Sequence, residues 1–103
     1  TLVKDPQNYI YLHVKGDSMK GAGIFTDDLV LIRKQHTAEE GQIVACRVNG
    51  DDATLKRFRL VGDNVVLTPE NSAYATYIVP RSDFDEGFAE IIGIATQITH
   101  HID

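Results

Sequence analysis

What most constrains this chain is its rhythm: short runs rich in Val, Ile, Leu and Tyr recur at close spacing, each cut off by Gly, Asn or Asp. Such runs read as strands joined by turns, because β-branched and aromatic side chains suit a pleated surface while Gly and Asn tolerate the positive φ of a tight reversal. The pattern predicts strands over Tyr9 to Val14, Leu29 to Arg33, Gln42 to Val48, Ala53 to Leu60, Val65 to Thr68, Tyr77 to Val79 and Glu90 to Thr99. Asn49-Gly50-Asp51-Asp52 reads as the hairpin turn joining the third and fourth strands, and Gly62-Asp63-Asn64 as the turn joining the fourth and fifth. Only Ser18 to Gly23 leaves room for a helical turn. The expected fold class is therefore all-β: a small twisted sheet or partial barrel of hairpins with at most one short helical turn.

At 103 residues the chain has room for one core, so residues 1–103 are expected to form a single domain. Fifteen acidic against ten basic residues give a formal net charge of −5, which repels a phosphate backbone, so this piece is not expected to read DNA. The local basic run Lys56, Arg57 and Arg59 is expected to be a solvated strand face. The single cysteine, Cys46, cannot form an internal disulfide, and a small domain without a cysteine framework fits the reducing cytoplasm. No run approaches the ~20 apolar residues needed to cross a bilayer. Thr1-Leu2-Val3-Lys4-Asp5-Pro6 lacks the basic and apolar regions of a leader, so neither secretion nor a membrane is expected.

Chemistry is suggested at two places. In Val14-Lys15-Gly16-Asp17-Ser18-Met19-Lys20 a serine sits at a bend just after a strand, beside a glycine that permits an unusual backbone path. In Ala53-Thr54-Leu55-Lys56-Arg57-Phe58 a lysine sits within a strand, where the period of two puts Thr54, Lys56 and Phe58 on one face and Leu55, Arg57 and Arg59 on the other. The two arginines mark their face as the wetter one, so Lys56 is expected to point inward. A lysine pressed against an aromatic ring loses hydration, which favours its neutral amine, and a neutral amine can accept the proton of an attacking serine. By residue type alone, a serine at a bend is more often a turn residue and a strand lysine more often reaches water.

The order of several blocks carries more weight: Gly16-Asp17-Ser18-Met19, Ala22-Gly23-Ile24, Asp28-Leu29-Val30, Gly41-Gln42-Ile43-Val44-Ala45, Ala53-Thr54-Leu55-Lys56-Arg57-Phe58 and Pro69-Glu70-Asn71-Ser72-Ala73-Tyr74. This order resembles the LexA-like peptidase family from near Tyr9 to near Thr99. The resemblance implies a fold of the kind shared with signal peptidases and a catalytic dyad of Ser18 and Lys56. The backbone N–H groups of Asp17 and Ser18 would face the developing oxyanion, with Thr54 and Met19 in support. It further implies self-cleavage of an upstream Ala-Gly-type bond, stimulated by a RecA filament on single-stranded DNA, which inactivates an SOS repressor. DNA would be bound only through an N-terminal domain, and a homodimer would form through the C-terminal region; an antirepressor or another repressor subunit is a further implied partner.

The chain departs from the pattern in three places. No helix-turn-helix domain and no cleavage loop precede Thr1, and the chain lacks an initiating Met, so it is expected to be a piece of a longer protein. Asp27-Asp28 stands where the family pattern has Gly-Asp, and His100-His101-Ile102-Asp103 has no counterpart. Two other readings compete: a UmuD-like accessory subunit of a translesion polymerase, which shares the Gly-Asp-Ser-Met and Asn-Ser-Ala-Tyr blocks, and a non-catalytic interaction module. A type I signal peptidase is disfavoured because nothing here anchors a membrane.

The remaining candidates receive plainer expectations. His13, His36, His100 and His101 lack zinc-site spacing, so no metal and no cofactor are expected. Cys46 is expected to be a small buried hydrophobe with no cationic partner. Asp83, Asp85 and Glu86 are expected to form a solvated acidic loop, and Pro69-Glu70-Asn71 a turn. The apolar run from Glu90 to Ile98 is either an edge strand covered by a second copy or a strand inside this chain's own sheet.

Overall fold

The computed structural model describes residues 6–102. The reading of the first residues as lacking a leader falls on positions outside that range, apart from Pro6, and Asp103 lies outside it as well. All seven predicted strands form: β1 (Tyr9–His13), β2 (Leu29–Lys34), β3 (Ile43–Val48), β4 (Thr54–Val61), β5 (Asn64–Thr68), β6 (Tyr77–Pro80) and β7 (Ala89–Thr99). They make one open antiparallel sheet in the order β1-β2-β7-β3-β4-β5-β6 rather than a closed barrel. The expected turns hold. Asn49 and Gly50 take positive φ (53° and 76°) between β3 and β4, and Gly62 (59°) opens the reversal that pairs Val61 with Asn64.

The long last strand lies in the middle of the sheet. Strand β7 is clamped between β2 and β3, so Ala89, Ile91 and Ile94 are buried by the chain itself while Ile92, Ala95 and Ile98 are partly buried, and their hydrophobicity alone does not demand a second copy. Its pairing with β3 stops at Ile94, whereas Gln97, Ile98 and Thr99 pair only with β2. Where β7 crosses its neighbours, the register shifts between Leu31 and Ile32 and again between Ala45 and Cys46. Such irregularities bend a strand and increase its local twist.

Burial on both sheet faces explains why several strands read as nearly continuous apolar runs. One cluster gathers Val44, Cys46, Phe58, Leu67 and Ile91, and the other Val14, Met19, Ile24, Ile32 and Leu55. This corrects the expectation for β4. Leu55 is buried in the second cluster, so the face it shares with Arg57 and Arg59 is wet only towards its far end. The basic run is likewise tied down by acids: Arg57 reaches Glu70, and Arg59 lies near Glu40.

Two helical details differ from the sequence reading. The turn after Ser18 is a short 3-10 segment over Lys20–Ala22. The acidic stretch is not a plain loop: Arg81–Asp85 forms a one-turn helix, α1, which begins directly after Pro80 and whose Phe84 packs against the first cluster. Burying that ring organises the turn, with Glu86 N–H donating to the Ser82 carbonyl and Phe88 N–H to the Asp83 carbonyl. Among the described residues no helix is long and apolar enough to cross a membrane.

Candidate active site

Ser18 lies in the loop between β1 and β2, and that loop is shaped by a few definite contacts. Gly16 adopts φ +84°, a conformation that a side chain would strain, and this turns the chain sharply out of β1. Met19, the next residue after the serine, is 2% exposed and sits in the second core cluster, so the bend is anchored by burial immediately beside Ser18. The Met19 carbonyl then accepts from the N–H groups of Ala22 and Ile24, which closes the 3-10 segment.

A cleft of about 520 Å³ opens here. Ser18, Met19, Leu12, His13, Thr54 and Leu55 contribute to its walls. The structure therefore brings the serine bend and the start of β4 to one cavity, as the sequence reading required. Lys56 is not itself a wall residue. Its Nζ donates to Thr54 Oγ1 at 3.2 Å and to the Leu55 carbonyl at 3.2 Å, and both of those residues border the cleft. The amine is thus hydrogen-bonded to two residues of the cleft that Ser18 also lines.

The surroundings of that amine set its protonation. Lys56 is only 6% exposed, and among the described residues no carboxylate pairs with it. Burial holds its pKa below the ordinary lysine range, opposed by a smaller upward pull from Cys46. Cys46 faces Thr54 across β3 and β4, fully buried, and Val44 faces Lys56. Burial pushes the Cys46 thiol up to about 11, with Lys56 pulling the other way. The thiol is therefore the small buried group expected, but the expectation that it lacks a cationic neighbour was incorrect: Lys56 lies on the adjacent strand.

The segment after β5 contributes more than the turn expected of it. Asn71 Nδ2 donates to the Asp17 carbonyl at 3.0 Å, and Tyr74 OH donates to Asp17 Oδ1 at 2.7 Å. Accepting the tyrosine proton satisfies one carboxylate oxygen of Asp17, and the same contact raises the Tyr74 pKa, so the phenol remains a donor. Glu70 completes the contact through its backbone, its N–H donating to the Ser18 carbonyl and its carbonyl accepting from Gly21. The Ser18 N–H makes no hydrogen bond among the described residues, whereas the Asp17 N–H is engaged by the Tyr74 phenol oxygen. Sequence reasoning missed these contacts because most of them run through the main chain.

On the far side of the serine loop, Asp27, which stands where the family pattern has Gly, takes φ 72°, and its carboxylate meets His13 Nε2 at 3.2 Å. Asp28 is buried and accepts from Phe25 N–H, His100 Nδ1 and His101 N–H. The two C-terminal histidines, unassigned by sequence, therefore fasten the end of β7 to the start of β2. Among the described residues no group of three or more His, Cys, Asp or Glu is placed to hold a metal ion.

Comparison with known proteins places these features in context. A family profile described as Peptidase S24-like matches residues 1–96. A LexA repressor of Geotalea uraniireducens (strain Rf4) is 50% identical over 88 residues, covering 85% of this chain and 42% of the relative. A LexA repressor of Clostridioides difficile (strain 630) is 40% identical over 98 residues, 95% of this chain and 44% of the relative. Another, from Cereibacter sphaeroides (strain ATCC 17029 / ATH 2.4.9), is 49% identical over 70 residues, 68% of this chain and 31% of the relative. The chain spans less than half the length of these curated relatives.

Proposed function

This chain belongs to the S24-like peptidase family, and on that premise we propose that it is the catalytic and dimerising part of a LexA-like repressor, cutting a peptide bond upstream of itself. Ser18 Oγ attacks the scissile carbonyl while Lys56 Nζ takes its proton. The new Oγ–C bond leaves an oxyanion that the N–H groups of Asp17 and Ser18 receive, the Ser18 N–H being unengaged among the described residues and the Asp17 N–H turning to the substrate from the Tyr74 oxygen. As the C–N bond breaks, the Lys56 ammonium returns its proton to the leaving amine. Water then cleaves the acyl-serine, with Lys56 again acting as base.

The observation that carries this reading is the Lys56 amine, buried with no carboxylate partner among the described residues and bound to Thr54 at the rim of the cleft that Ser18 lines. An ion paired with an acid would keep its proton, whereas this amine can lose it. Catalytic hydrogen bonds in empty sites often tighten only when substrate is bound, so the contact between the amine and Ser18 Oγ is completed as the cleavable segment settles. That segment is a loop with a small-residue bond such as Ala-Gly. A RecA filament on single-stranded DNA favours its docked arrangement, and repression ends when the cut detaches the DNA-binding domain. The last residues of β7, which pair on one side only, supply an edge for the homodimer.

Relatives that carry the name LexA repressor favour this reading over a polymerase accessory subunit. The test is cleavage in trans: this domain is mixed with a separate polypeptide bearing the upstream loop, at alkaline pH where more of the amine is neutral. Cleavage that Ser18→Ala and Lys56→Ala each abolish supports the dyad; either variant cutting at the wild-type rate refutes it.

A further inference from the structure

Glu70 occupies an unusual junction. Its side chain accepts from Arg57 Nε at 3.0 Å, and Arg57 directly follows Lys56 in β4. Its backbone N–H donates to the Ser18 carbonyl at 2.9 Å, and its carbonyl accepts from Gly21 N–H at 2.9 Å. One residue is thus bonded at once to the neighbour of the proposed base and, twice, to the segment that carries the proposed nucleophile. The approach at Gly21 is close, since a Cβ there would lie 2.6 Å from the Glu70 carbonyl oxygen, nearer than any side chain allows. A glycine at that position lets the two backbones meet.

The flanking contacts extend the same junction. Asn71 and Tyr74 hold Asp17 from outside the bend, and the second end of the Arg57 guanidinium donates to the Gly41 carbonyl at 2.7 Å, which orients Arg57 for Glu70. The segment from Glu70 to Tyr74 therefore spans the gap between two parts of the chain that share no strand ladder: β1 with its serine loop stands at one end of the sheet order, and β4 lies beyond β2, β7 and β3. Apart from this brace, the bend meets β4 through the core cluster that Met19 and Leu55 share, and apolar packing fixes orientation less sharply than hydrogen bonds do.

We infer that Glu70 is a positioning residue, which sets the distance between the serine bend and the lysine strand by pinning Arg57 with its carboxylate and Ser18 and Gly21 with its main chain. The inference rests on the dyad reading above. Its chemistry is geometric: misplacement of reacting groups by about 1 Å can cost on the order of a hundredfold in rate, whereas the charge on the Lys56 amine is governed by burial and by Cys46, with no charge contribution from Glu70.

The test follows phosphonylation of the full 103-residue chain by a fluorophosphonate ester, in which Ser18 Oγ bonds to phosphorus and fluoride leaves, as a function of pH. Wild type is expected to label at Ser18 with a rate that rises with pH. Glu70→Ala, which keeps the backbone bonds and removes only the hold on Arg57, is expected to label about tenfold more slowly with the same pH midpoint. Glu70→Gln, whose amide oxygen still accepts from Arg57, recovers most of the rate. Gly21→Ala, which pushes the Glu70 carbonyl away from the bend, slows labelling independently and keeps the question open to measurement if Glu70→Ala does not fold. Folded Glu70→Ala or Gly21→Ala that labels at the wild-type rate overturns the inference. So does a shifted midpoint in Glu70→Ala, which would make Glu70 an electrostatic partner of the amine. A wild-type chain that fails to label at any pH refutes the dyad itself, a result distinct from wild-type labelling that the variants leave unchanged.

Discussion

Lys56 donates from Nζ to the hydroxyl of Thr54, two positions earlier on the same face of β4, at 3.2 Å. This bond has a direction that matters. The hydroxyl accepts from the amine, so it can hold Nζ at the cleft rim while leaving the nitrogen able to shed a proton. A carboxylate in the same place would hold it charged.

Thr54→Val should keep the shape and remove the acceptor, leaving Nζ with the Leu55 carbonyl alone. A lost part-buried hydrogen bond of this kind costs about 1 kcal/mol or more, and each ~1.4 kcal/mol is tenfold in rate, so trans-cleavage should fall by roughly tenfold. Thr54→Ser, which keeps the hydroxyl, should retain most of the activity. Single-turnover rates for the two variants make the comparison; equal rates for Val and Ser would show that the hydroxyl plays no part.

Met19 links the bend to the core. Replacing it with Ala empties a site that is 2% exposed. Removing a buried side chain of that size costs about 2–5 kcal/mol, whereas Met19→Leu, which conserves volume, should cost less than about 1.5 kcal/mol. Urea unfolding gives both values. If the Ala variant were as stable as wild type, the bend would not be anchored by this side chain.

How much of this could be read from sequence depends on which signal each part leaves. The seven strands were legible because the alternation of apolar runs with Gly, Asn and Asp is local. The place of β7 was not, since Ile91 and Ile94 look alike whether buried by β2 and β3 or by a second copy, and strand order is a long-range property. Leu55 was misassigned because two arginines share its face, although the sheet is covered on both sides at that point. Helix α1 is a single turn stabilised by Phe84, too short for a helical period to register. Within the site, Ser18, Thr54 and Lys56 were singled out through ordered motifs, and Ser18 and Thr54 border one cleft. Glu70 and Asp28 were missed. The first acts largely through its backbone, and the second meets histidines more than seventy positions away.

Asp28 makes the fold sensitive to acid. Burial alone would raise its pKa, but hydrogen bonds from Phe25 N–H, His100 and His101 N–H outweigh that and hold the carboxyl below its ordinary value. A carboxyl whose folded pKa lies below its unfolded one adds stability above the unfolded value and loses it as pH falls through the folded one. Asp28→Asn should therefore lower Tm at neutral pH, and the gap from wild type should close as the solution is acidified below the ordinary aspartate value of ~3.9. Thermal unfolding across pH reads this directly; a gap that stays constant down to strong acid would contradict it.

Lys56 can activate Ser18 only if its amine is neutral at a pH where ordinary lysines are charged. The direct measurement is the titration of the Lys56 side-chain nitrogen by NMR in the Ser18→Ala chain, where no cleavage interferes. A depressed folded pKa means that the folded chain binds fewer protons than the unfolded one between the two values, so stability should rise with pH through that window. Lys56→Met should flatten this rise. A Lys56 midpoint clearly below the ordinary ~10.4 is expected; a midpoint at or above that value, with the chain folded, rules out Lys56 as the base.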